Sequence, residues 1–119
     1  ARPLEERRAK HSPLKDVAGM LRSFSYAAYA ALVSYTNRRP EAAKQLEPWA
    51  RLWERSASMA FLEAYRAGVA GRKLLPESPA AEEALLRAYL VDKALYELIY
   101  ELNNRPGWVR IPLWGLFSL

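Results

Sequence analysis

Two Ser-Pro pairs, Ser12-Pro13 and Ser78-Pro79, each stand at the head of a long run in which apolar residues recur every three or four positions. A serine oxygen can accept from the unpaired N–H groups of a first helical turn, and proline fits the position just inside, where its missing N–H is not needed. The first pair therefore predicts a helix over 12–37, with Val17, Met20, Leu21, Phe24, Ala28, Ala31, Leu32 and Tyr35 as its buried stripe. The second predicts a helix over 78–104, with Glu82 and Glu83 in the first turn, where the helix dipole favours negative charge, and with Asn103-Asn104-Arg105-Pro106-Gly107 ending it. Between them, 41–70 reads as another helix with a break or kink near Pro48, a stripe of Leu52, Trp53, Met59, Ala60, Leu62 and Ala67, and a stop at Gly68 and Gly71.

The rest of the chain falls around these three helices. Residues 1–11 are polar and without apolar period, so they read as an extended lead-in continuing from something upstream, and Arg72 to Glu77 reads as a loop. Residues 108–119 carry Ile111, Leu113, Trp114, Leu116 and Phe117; such a segment must fold back onto the helices or onto a partner domain. Few β-branched residues and many Leu and Ala favour packed helices over a sheet. The expectation is one all-α domain over 1–119, a small antiparallel helical bundle with short connections.

Composition removes several functions. With no cysteine, disulfides, thiolate metal sites and thiol nucleophiles are excluded. The net charge of +5 raises the possibility of an anion-binding module, but the basic residues are scattered from Arg2 to Arg110, which points to a solvated surface rather than a nucleic-acid footprint. No apolar stretch is long enough for a membrane span or a signal region, and a cytoplasmic location is expected. The single histidine, His11, has no nucleophile or second metal ligand at useful spacing, and Asp16 and Glu41 read as helix-terminus charges. Trp49 and Trp53, four apart, form either a stacking platform or a packing contact. Glycine-rich phosphate loops and metal-spaced His/Asp/Glu sets are missing, and the chain carries no complete reaction.

Chemistry concentrates on the 78–104 helix. At ~100° per residue, Val91, Ala94, Leu95, Leu98, Ile99 and Leu102 form one arc, read as the core face. Opposite them lie Tyr89, Lys93, Tyr96, Glu97, Tyr100 and Asn104. Flat aromatic surface mixed with donors and acceptors suits a sugar, whose C–H face stacks and whose hydroxyls need partners of both kinds. The same pattern also fits tyrosines packed on a neighbouring helix with their hydroxyls reaching solvent. The residues alone leave both open.

The stretches Asp16-Val17-Ala18-Gly19-Met20-Leu21-Arg22-Ser23-Phe24, Lys93-Ala94-Leu95-Tyr96-Glu97-Leu98-Ile99-Tyr100-Glu101-Leu102-Asn103-Asn104-Arg105-Pro106 and Trp108-Val109-Arg110-Ile111-Pro112-Leu113 resemble the C-terminal end of bacterial maltokinases, a module also found fused behind trehalose synthase. The likeness covers both ends of the chain and weakens over Glu41 to Glu77; Gly107 and Trp114 depart from it, standing where acidic and basic residues are usual. The resemblance implies the C-terminal helical part of an aminoglycoside-phosphotransferase-like kinase fold, with transfer of the ATP γ-phosphoryl group to maltose. It implies no cofactor bound by this chain itself. ATP, Mg²⁺ and the catalytic and metal-ligating residues would belong to upstream domains of the same protein. Lys93, Tyr96, Glu97 and Tyr100 would contact maltose or a related disaccharide, Lys93 and Glu97 bonding hydroxyls and the tyrosines packing on the rings. Asn104 and Arg105 are assigned to ending the helix. The alternative implied by the fused module is a structural or homo-oligomerising appendage of trehalose synthase, whose maltose–trehalose interconversion occurs in another domain.

Overall fold

Both serines cap as their positions dictate. The Leu14 amide donates to Ser12 Oγ at 3.2 Å and the Ala81 amide to Ser78 Oγ at 3.1 Å, each with proline opening the helix behind it. The computed structural model describes residues 12–71 and 78–119 and is all-helical. α1 (Pro13–Thr36) is followed by a 3₁₀ turn (Pro40–Ala42) and α2 (Ala43–Val69). α3 (Pro79–Asn104), a second 3₁₀ turn (Pro106–Trp108) and α4 (Arg110–Phe117) complete the chain. The expected lead-in over 1–11, with His11, and the expected loop over 72–77 lie outside the described residues.

α1 is the central element and packs against α2, α3 and α4. Arg22 meets Glu97 and Tyr26 meets Glu101, so α1 and α3 run in the same direction. Thr36 and Ala43 line one end of a shared cavity while Ser25 bonds Glu54 at the other, so α2 runs against α1. This is the up-down-up order that short connections impose. The apolar core, Leu14, Val17, Ala18 and Leu86, is covered by Phe61, Leu62, Tyr65, Tyr89 and Leu90.

Three expectations are corrected. Pro48 does not break α2, which continues through it. The proline lies in the second turn, where it removes one ladder bond, to the Lys44 carbonyl, and the helix absorbs that loss. The predicted stripes are also displaced: Met20 and Tyr35 of α1 are exposed, and α2 buries none of its residues, leaving Leu52, Trp53 and Met59 half open or more. Largest is the shift in α3. Of its predicted core arc Ala94 is buried, Val91 and Leu98 are half-buried, and Leu95, Ile99 and Leu102 are exposed. The inward face instead carries Leu86, Ala94, Glu97 and Glu101, a rotation of roughly 100° from the apolar arc.

Gly71, at φ +77°, ends the turn after α2 in the left-handed region that glycine occupies without strain. The C-terminal segment folds back onto this same chain. Trp108 stacks on Tyr26 at 6.2 Å and meets Tyr29 edge-on at 5.9 Å, and α4 buries Ile111 and Pro112.

Candidate functional site

α1 and α3 run side by side and leave an open groove of about 700 Å³ lined by Gly19, Met20, Arg22, Ser23 and Tyr26 on one side and Lys93, Tyr96, Glu97 and Tyr100 on the other, with Arg105 at its end. All four residues singled out on α3 therefore share one groove. A smaller lobe of about 320 Å³ adjoins it through Gly19, Lys93 and Tyr96 and adds Lys15, Asp16, Tyr89 and Asp92.

The four side chains differ in freedom. Tyr96 and Tyr100 are about half exposed, at 56% and 49%. Their rings carry cations at one edge of the groove: Lys93 Nζ lies 5.6 Å from the Tyr96 ring centre and the Arg105 guanidinium 5.9 Å from that of Tyr100. Lys93 is exposed. Glu97 is buried and committed: Arg22 Nε donates to both of its oxygens at 2.9 and 3.2 Å, and Arg22 Nη2 lies 2.8 Å from Oε1. Part of its acceptor capacity is thus taken by Arg22, which lines the same groove.

Behind the groove the polar network is nearly closed. Arg22 also donates to Ser25 Oγ at 3.2 Å and to the Ile111 carbonyl at 3.4 Å, and Ser25 donates to Glu54. This one arginine thus joins α1 to α3, α4 and, through Ser25, α2. Glu101, fully buried, accepts from the Tyr26 hydroxyl at 3.1 Å and from Arg105 at 2.9 and 3.0 Å. Burial, then the neighbouring Glu97 and Glu101 carboxylates, push the Tyr26 hydroxyl well above its ordinary value, so Tyr26 stays a neutral donor. The bond from Arg105 to Glu101 raises the arginine further and holds its charge in place.

Two residues of the predicted arc sit elsewhere. Tyr89 packs on the apolar core and reaches the smaller lobe, and Asn104 donates to the Tyr100 carbonyl at 2.8 Å, closing the last turn of α3 as its assignment to helix termination requires. Arg105 follows, its amide donating to the Glu101 carbonyl at 2.7 Å and its guanidinium lying 4.2 Å from the Trp108 ring centre. Asp16 and Glu41 sit in first turns. Trp49 and Trp53 are exposed, at 68% and 50%, with Trp53 held edge-on by Phe24. The groove's α1 wall, Gly19 to Tyr26, is not singled out from sequence as a site. The signal for it is a matched spacing: Arg22 and Tyr26 are four apart, as are Glu97 and Glu101, so the two pairs can meet across parallel helices.

Among the described residues no three His, Asp or Glu side chains come together as a metal site, and no described helix is long and apolar enough to cross a membrane. No protein-family model matches the chain.

Proposed function

We propose that this chain forms the acceptor-side helical subdomain of a maltokinase-type phosphotransferase, holding maltose or a related disaccharide in the α1–α3 groove. One observation supports it above the others: Lys93, Tyr96, Glu97 and Tyr100 line a single two-lobed groove whose lobes share Lys93 and Tyr96. Two lobes suit two sugar rings. Tyr96 and Tyr100 would give apolar surface for C–H faces, while Lys93, Ser23, Asp92 and the Arg22 guanidinium would supply donors and acceptors to the hydroxyl rim. The groove's work is positioning; Glu97 keeps Arg22 oriented, and the Arg105–Glu101 pair fixes the end of α3.

ATP, Mg²⁺ and the phosphoryl transfer they support would belong to other parts of the protein. Titrating maltose, cellobiose and glucose by isothermal calorimetry tests the reading. Maltose should bind at least about tenfold more tightly than glucose, and Tyr100→Ala or Lys93→Ala should weaken it by about tenfold, one lost contact of ~1.4 kcal/mol. Equal binding of all three sugars, or no effect of either substitution, would remove the proposal.

A second reading, a structural or homo-oligomerising appendage of trehalose synthase, draws on a different observation. Leu95, Ile99 and Leu102 leave an apolar stripe on the outer face of α3, and α2 leaves Trp49, Leu52 and Met59 open. Light scattering decides it: a monomer at all concentrations, together with an unchanged parent melting temperature after removal of the segment, would count against this role.

A further inference from the structure

Steps of four and three residues in strict alternation link Ala84, Ala88, Val91, Leu95, Leu98 and Leu102 along α3. This is the spacing by which one helix presents an apolar seam to another, and the six residues share an arc of roughly 80° at ~100° per residue. The seam does not serve the chain's own core. Ala84, Ala88, Leu95 and Leu102 are exposed and Val91 and Leu98 half-buried, whereas the inward face of α3 is built on Leu86, Ala94, Glu97 and Glu101. Ile99, 62% exposed, widens the seam on its outer edge. From Ala84 to Leu102 it runs roughly 27 Å, at ~1.5 Å per residue.

The charges beside the seam select the helix that fits it. Arg87, just before Ala88, and Asp92, just after Val91, are both exposed and border the seam on opposite edges. Ala94 and Glu101, the next positions along Arg87's edge, are buried, so Arg87 is the charge that edge offers. Parallel paired helices bring together the residue before one seam position and the residue five further on in the other strand. Arg87 and Asp92 have that separation, so two copies of α3 laid parallel place Arg87 of each beside Asp92 of the other. Full-overlap antiparallel pairing would align the two Asp92 carboxylates instead, and like charges oppose it. We propose that the chain dimerises by parallel, two-fold pairing of α3 with α3 of a second copy, Leu95 and Leu102 meeting their counterparts near the axis and two Arg87–Asp92 pairs closing the edges. The inference rests on the oligomerising reading and deepens it, assigning the surface and its orientation. A seam of fewer than three full heptads makes a small interface, which sets the association in the micromolar range.

Sedimentation equilibrium of the full chain should show a monomer–dimer equilibrium with Kd of about 1–100 μM. Leu95→Glu, at an exposed position, should keep the helical circular-dichroism signal and weaken the dimer at least about tenfold. Arg87→Asp, which sets two like-charge pairs across the interface, should weaken it by about tenfold, and the double variant Arg87→Asp/Asp92→Arg should return it to within about twofold of the parent. Because the chain has no cysteine, introduced thiols report orientation. Under mild oxidation Leu102→Cys alone should cross-link to itself, as parallel pairing requires. Cross-linking only in a mixture of Ala84→Cys and Leu102→Cys chains would overturn the parallel arrangement. A dimer unmoved by Leu95→Glu, or a double variant as weak as Arg87→Asp, would overturn the α3 pairing and leave the oligomerising reading standing. A monomer at all concentrations would remove both. A dimer with every expected response, in a parent whose melting temperature is unchanged by removal of the segment, would support the pairing and remove the appendage role.

Discussion

Replacing Glu97 with leucine tests whether the groove is built on a buried ion pair. The substitution leaves the Arg22 guanidinium, 7% exposed at its side chain, with Ser25 Oγ and the Ile111 carbonyl as its remaining partners. Breaking one side of a buried pair costs ~3–5 kcal/mol when the survivor is stranded. The two retained hydrogen bonds bring the expectation to the lower end, about 3 kcal/mol. For a domain of this size, ~4 °C per kcal/mol converts that to a fall in melting temperature of about 12 °C. The double variant Arg22→Met/Glu97→Leu removes both charges, and should recover most of the loss, leaving a coupling energy of about 2–3 kcal/mol. Thermal and urea denaturation followed by circular dichroism measure all four corners of the cycle. A single-variant loss below about 1 kcal/mol would refute the reasoning, because Glu97 would then not be holding Arg22 and would be free to meet a ligand itself.

Tyr26 gives a pH signature. Its hydroxyl is held neutral above the ordinary value near 10 in the folded chain and ionises at that value when unfolded, so the unfolded state binds fewer protons above pH 10. Its contribution is fully present below pH 10 and is lost as pH rises beyond it; the urea midpoint should fall from pH 10 to 11, and by less in Tyr26→Phe. Gly115→Ala would place a Cβ 2.8 Å from Arg22 Cζ, and should lower stability by about 1–3 kcal/mol despite alanine's better helix propensity, read as a lower melting temperature. Pro48→Ala should raise stability, by up to about 3 kcal/mol, because the amide regained can close the bond to the Lys44 carbonyl, measured by the same thermal scan.

Helix positions were legible because they rest on local chemistry. Ser12-Pro13, Ser78-Pro79 and Gly71 act on the backbone within a few residues of themselves, and the observed termini of α1, α3 and α2 fall beside them. The groove was legible in part. Lys93, Tyr96, Glu97 and Tyr100 share a face by helical periodicity alone, and the fold supplies the opposite wall that makes the face a groove.

Which face of α3 turns inward was decided by tertiary structure. Apolar counting treats Glu97 and Glu101 as outward residues, yet both are buried, because Arg22 and Arg105 compensate their charge and the neutral Tyr26 hydroxyl donates to Glu101. Those partners lie 75 residues away for Arg22 and Tyr26, and no periodicity within α3 records them. The same pairing turns Leu95, Ile99 and Leu102 to the outside and commits the Glu97 carboxylate to Arg22. Local hydrogen bonding sets where a helix begins and ends; the direction it faces follows from compensating buried charge, which depends on distant side chains meeting.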